Sequence, residues 1–212
     1  RIRTFDQKDK KNVMSSKDCI KYARRMGWFS GKDQDFSFCD TYAKPDFGGR
    51  RFCDARVWSF FNHFADMSPY IPYAEGKVKD AEPMPLWIKP NRKVSVQDIE
   101  MCMRDHYEGT PFALDKDMGQ GVWEMPYRPT PLQYTVDGKK YFNERPTSTQ
   151  QSAFSYVSQM RSWLPRQIGG VLWFGNDDGN MIAYTPVYCG NTVQPECYNT
   201  PGADAVTFSD KN

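Results

Sequence analysis

Near residue 110 the apolar residues of this chain stop recurring at helical spacing and begin to alternate. Upstream, Cys19, Ile20, Ala23 and Met26 share one face of a helix that Ser15 or Ser16 can cap and Gly27 ends. Residues 51–65 read as a second helix, with Phe52, Trp58, Phe61 and Phe64 spread around it, so both of its faces should be buried. A proline-rich connection covers 69–90. A third helix starts at Ser95, with Asp98 as the capping acid; it places Ile99, Cys102, Met103 and His106 on one face and stops at Gly109. Downstream, 111–131 reads as loop, and the runs 132–136 and 139–142 flank Asp137-Gly138, a type I′ hairpin signal. Residues 153–164 alternate as one long strand, 170–174 form a short apolar strand, and 181–188 return after a turn at Asn176-Asp177-Asp178-Gly179. Helices first and antiparallel strands second imply an α+β layered fold rather than a βαβ array. The expectation is one domain, helical over about 1–110 and mainly strand over 111–212, with the strands in a single sheet and the 51–65 and Ser95 helices packed on it.

Composition narrows the function classes. With 39% hydrophobic and 15% aromatic residues, a chain of 212 can bury a core. Net charge is only +2, and the one basic cluster, Lys8, Lys10 and Lys11, is short enough to be a solvated loop, so no nucleic-acid partner is expected. No apolar run approaches the roughly 20 residues that a membrane helix needs. Six cysteines are present, none in a C-x-x-C pair, so no structural metal and no cofactor is expected. Cys189 and Cys197 would suit a bridge if the protein is exported; buried free thiols are the other reading. The compartment stays open, with a lean towards export.

Several phrases go beyond fold chemistry. They are Arg104-Asp105-His106-Tyr107-Glu108-Gly109-Thr110-Pro111-Phe112, Ser148-Thr149-Gln150-Gln151-Ser152-Ala153-Phe154, Val157-Ser158-Gln159-Met160-Arg161, Gly169-Gly170-Val171-Leu172-Trp173-Phe174-Gly175 and Tyr184-Thr185-Pro186-Val187-Tyr188. Gly27-Trp28-Phe29 and Phe52-Cys53-Asp54-Ala55-Arg56-Val57-Trp58 precede them. In this order they resemble the dipeptidase A family of bacterial cysteine peptidases, which are N-terminal-nucleophile hydrolases. The resemblance implies an αββα sandwich, a dipeptide substrate and thiol-protease proteolysis by a mature N-terminal cysteine. Here the first residues are Arg1-Ile2-Arg3. The chain therefore reads as an internal fragment whose partners include the missing N- and C-terminal parts of the same protein, and which by itself lacks the nucleophile. A non-catalytic binding or structural domain that keeps the hydrolase fold is the alternative.

The chemistry of that class needs a thiol and a free α-amine on one residue, the amine accepting the proton as the sulfur attacks. It also needs an oxyanion donor, and an amide side chain donates N–H without charge. The resemblance extends to the bile-salt hydrolase group, in which an asparagine stands just before a comparable strand, and Gln150 falls at that position. Gln150 and Gln151 satisfying backbone groups at the strand start is the competing reading. Arg145 and Arg161 flank the long strand and are candidates for a substrate carboxylate, although a solvated sheet face explains them equally well. His106 suits a hydrogen-bonded core position better than catalysis, and Asp177 and Asp178 suit a turn better than a carboxylate pair. A papain-like use of Cys53 or Cys102 with His63 or His106, of which Cys102 and His106 stand one helical turn apart, lacks an oxyanion or orienting motif.

Overall fold

The computed structural model describes residue 3 and residues 6–128, 133–142, 145–195 and 198. They fall into two compact units that interleave along the sequence. The first is drawn from Arg1–Val94, Tyr107–Ala113 and Thr130–Pro146, and the second from Ser95–His106, Leu114–Pro129 and Thr147–Asn212. Helices and antiparallel sheets are mixed, giving an α+β fold. Among the described residues no helix is long and apolar enough to cross a membrane.

In the first unit, α1 (Cys19–Arg25) buries Ile20 and Ala23 against Phe36, with Phe29 and Tyr42 beside them. The helix starts later than Ser15 or Ser16, and Asp18 occupies the N-cap without a side-chain cap. Gly27 takes the left-handed conformation just after it ends, as helix stops often require. A short helix, α2 (Phe38–Tyr42), follows.

The stretch read as one helix over 51–65 is two structures. Gly49–Asp54 is a π-helix, and α3 (Ala55–Asn62) continues it. A π turn is wider than an α turn, so its side chains leave the 3.6-residue register. Here it buries both Arg50 and Arg51. The α3 helix packs on the π segment and on α4 (Ile71–Glu75), a helix that the proline-rich connection conceals because its prolines fall in first turns, where no amide bond is lost. The Asp137-Gly138 hairpin forms as read. The strands β1 (Gln133–Val136) and β2 (Lys139–Phe142) pair antiparallel, with φ of 50° at Asp137 and 73° at Gly138, both on the positive side that type I′ demands.

In the second unit α5 (Val96–Met103) carries a reciprocal capping box: Asp98 N–H donates to Ser95 Oγ (3.1 Å) and Ser95 N–H to Asp98 Oδ2 (2.7 Å). The helix packs on a three-stranded antiparallel sheet in the order β3 (Phe154–Met160), β4 (Gly170–Asn176), β5 (Thr185–Tyr188). Phe154 pairs with Asn176, and Leu172 with Val187. A short helix, α6 (Arg166–Gly169), links β3 to β4.

Three expectations need correction. Among the described residues the strands form two sheets rather than one: β1 and β2 pair only with each other, and no backbone ladder joins this hairpin to the three-stranded sheet. The long strand ends at Met160, because Arg161–Leu164 closes a turn and Pro165 has no N–H for a ladder. The third helix ends at Met103 rather than near Gly109, and Tyr107 at φ 66° turns the chain away. His106 is buried beyond that helix, so the one-turn spacing that matched it with Cys102 does not exist.

The turn after β4 fits closely over the end of α5. A Cβ at Gly179 would collide with the Met103 carbonyl oxygen and stand 2.9 Å from its carbon, both backbone atoms that cannot swing aside. Gly179→Ala is therefore expected to destabilise the chain by about 3 kcal/mol, at the upper end of overpacking costs. Urea unfolding measures this, and an unchanged midpoint would contradict the packing described.

Candidate active site

The turn that leads into β3 is pinned by main-chain bonds: Ser148 N–H donates to Asp105 O (3.1 Å) and Ser152 N–H to Thr149 O (2.9 Å). Gln150 lies within it, half-buried. The Thr149 hydroxyl stands 3.3 Å from Gln150 Oε1 and 3.1 Å from Gln151 Oε1 and donates its one proton to either. Gln150 Nε2 is buried and has no hydrogen-bond partner among the described residues. Its carbonyl is approached by a donor while its NH₂ remains unspent, the polarity that an incoming oxyanion requires.

Polar groups crowd this unit. Ser155 Oγ and Tyr184 Oη are 2.9 Å apart, and Arg104 donates to Ile182 O (2.8 Å) while its guanidinium lies over the Tyr184 ring. Burial, helped by a hydrogen bond to Asp178 and by that carboxylate's charge, holds the Tyr127 hydroxyl above the usual tyrosine range, so it stays a proton donor at neutral pH. Asp178 is fully buried and accepts from Asn180 N–H (2.7 Å), while its own N–H donates to Asp177 Oδ1 (2.9 Å). The two aspartates thus serve the turn, as Asp residues in such sequences do.

Arg161 sits at the other end of β3 from Gln150. The seven residues of that strand, at roughly 3.3 Å each, put the two groups on the order of 20 Å apart, so they do not share one site. The Arg161 guanidinium donates to Ile168 O (2.6 Å) and lies over Tyr188, holding its own loop together. Arg145 is exposed and belongs to the first unit, where its carbonyl accepts from Tyr107 Oη (3.3 Å).

The thiols divide by burial. Cys39 and Cys102 are buried, whereas Cys53 and Cys189 are exposed. Burial pushes the Cys19 thiol up, which keeps it protonated and a poor nucleophile at neutral pH. Cys197 lies outside the described residues, and with it the bridge to Cys189. Among the described residues no cluster of three or more His, Cys, Asp or Glu is arranged to hold a metal ion.

One residue of this inventory escapes sequence reasoning. Arg51 is 8% exposed and lies over the rings of Phe112 (4.3 Å) and Tyr107 (5.4 Å). The available signal was Gly48-Gly49 just before an Arg pair and an aromatic, an awkward opening for an ordinary helix.

The sequence profile of peptidase family C69 matches residues 1–211. The chain belongs to peptidase family C69. It is 25% identical over 193 residues to a probable dipeptidase of Salmonella dublin, covering 90% of this chain and 38% of that protein. It is 24% identical over 199 residues to dipeptidase A of Lactobacillus helveticus, covering 94% of this chain and 37% of that one. The C69 chain thus spans well under half the length of these curated relatives, and the match takes in both units and the Gln150 turn.

Proposed function

We propose that this chain is part of the catalytic domain of a cysteine dipeptidase, in which an N-terminal cysteine outside these 212 residues attacks the peptide carbonyl and Gln150 donates to the resulting oxyanion. The observation that carries the reading is the family match over residues 1–211 together with two relatives named as dipeptidases. Thiol and α-amine belong on one residue in this mechanism. An α-amine titrates at roughly 7.7–8, close enough to neutral to take the thiol proton without a histidine. As sulfur bonds to the carbonyl carbon, charge moves to the carbonyl oxygen. Collapse of that intermediate expels the amine of the second residue, and water then releases the first.

The αββα arrangement belongs to the same proposal, and the β3–β5 sheet supports it. Ser155 and Val157 are buried on the side of the sheet opposite Phe154, Tyr156 and Met160, which are 55%, 54% and 73% exposed. Phe154 stacks on Phe174 of the neighbouring strand at 6.0 Å. One face of the sheet is thus aromatic and open, as the inner face of a two-sheet layer is before its partner covers it.

The test is hydrolysis of dipeptides by the full-length product of the gene that encodes this chain. Amino-acid release abolished by iodoacetamide, with Cys53→Ser and Cys102→Ser leaving most activity intact, is the expected result. The 212-residue chain alone should release none, because its six cysteines are all internal and have no free α-amine. Cleavage by that chain, lost in Cys102→Ser or Cys53→Ser, would overturn the mechanism. A full-length protein with an exposed N-terminal cysteine and no turnover would favour a non-catalytic domain.

A further inference from the structure

We propose that the cleft between α2, the π-helix and the chain after α4 binds a small zwitterion of the α-amino-acid class, with Arg50 drawing in the carboxylate and Asp40 or Asp80 taking the ammonium. The cleft has a volume of about 310 Å³, at the lower end for small-ligand sites and suited to a single amino acid. All of its lining residues belong to the first unit, so the site is complete within that unit.

The case starts from a buried charge. Arg50 lines the cleft, is 7% exposed and lies over the Tyr73 ring at 5.0 Å. Its Nη1 donates to Val78 O (2.6 Å) and its Nη2 to Lys79 O (2.9 Å). Both acceptors are neutral carbonyls, and among the described residues no carboxylate pairs with this guanidinium. Its Nε is buried and has no acceptor among the described residues. A buried cation without a counter-charge is costly, and an anion in the cleft would supply one. The ring takes the flat face of the guanidinium and leaves its edges for hydrogen bonds. Burial also extends the influence of the charge, since the field of an ion away from water is little screened. The arginine is held firmly. The π-helix turns it inward, and Tyr73 Oη donates to Asp54 Oδ2 (2.8 Å), which ties the ring under Arg50 to the end of that same helix.

The outer lining carries both signs, with Arg3, Lys44 and Lys79 against Asp40 and Asp80. Among the described residues no ion pair joins these five, so their charges are available to a ligand. Asp40 is fixed at the start of α2, where its Oδ2 accepts from Ser37 Oγ and its other oxygen remains. A simple anion would be drawn by Arg50 and repelled by the two aspartates, and a simple cation would meet the reverse. An α-amino acid carries both charges a few bonds apart and satisfies both. On the dipeptidase reading amino acids are the products, but binding in this cleft does not depend on turnover.

Hydrogen exchange read by mass spectrometry on the full-length protein shows where a ligand binds. The probes are L-alanine, L-alaninamide, which lacks the carboxylate, and propionate, which lacks the ammonium, at equal ionic strength. L-Alanine should slow exchange over residues 39–45 and 78–83 at concentrations roughly 10- to 100-fold lower than either analogue, the value of one charge-assisted pair. Arg50→Gln should raise the alanine concentration needed to that of alaninamide. Asp40→Asn combined with Asp80→Asn, both at exposed positions, should raise it to that of propionate. No slowing in these two segments overturns the proposal, as does propionate or phosphate acting as strongly as alanine, which marks a non-specific anion patch. Unchanged alanine binding in the double aspartate variant also overturns it. If Arg50→Gln does not fold, the double variant decides, because its exposed side chains support no core. Slowing confined to residues 148–152 overturns the cleft and supports the dipeptidase reading. Slowing over 39–45 and 78–83 in a protein that cleaves no dipeptide supports the cleft and removes that reading.

Discussion

Gln150→Ala in the full-length protein is expected to lower kcat by roughly 10²- to 10³-fold, the effect of removing one oxyanion donor. KM should move little, because the charge that the amide meets exists only in the transition state and not in the bound dipeptide. The structural ground is the unspent donor. Gln150 Nε2 is buried without an acceptor among the described residues, while Thr149 Oγ1 can orient the carbonyl end of the same amide. Gln150→Glu is the sharper control. It keeps the shape of the side chain and replaces the donor with a carboxylate that repels the oxyanion, so it should be at least as damaging as the alanine. If Gln150 merely satisfies the strand start, both variants keep near-normal kcat and any loss tracks stability instead. Steady-state kinetics on a protein of verified fold separates the two.

What the sequence disclosed was local. Asp137-Gly138 specifies its turn because two adjacent residues must take positive φ, and Ser95 with Asp98 specifies a helix start because two side chains exchange bonds with two backbone amides. Each signal is complete within four residues. The π segment was not legible, since its apolar residues still recur at roughly helical spacing, and a one-residue widening moves Arg51 from the surface to the interior without altering any pattern. The rings that make burial of Arg51 tolerable, Tyr107 and Phe112, lie more than fifty positions downstream, beyond the reach of local reading. Arg145 and Arg161 drew attention for the opposite reason. Their place beside a strand was visible, but the use Arg161 makes of its guanidinium depends on carbonyls in a helix, α6, whose four residues carry no periodic signal. Gln150 was marked by resemblance, and what the structure adds is the state of its amide.

Trp58→Ala is expected to destabilise the 212-residue chain by about 3–5 kcal/mol, the usual range for truncating a large buried aromatic. Trp58 is 1% exposed, and its indole Nε1–H donates to Met67 O at 2.8 Å across a buried contact. Alanine would leave a cavity and also strand the Met67 carbonyl, two separate costs. Trp58→Phe tells them apart, since it restores most of the ring volume and leaves only the carbonyl unpaired, a loss of about 1–3 kcal/mol. Trp87→Ala, at a position 77% exposed, sets the surface baseline and should fall within about 0.5 kcal/mol of wild type.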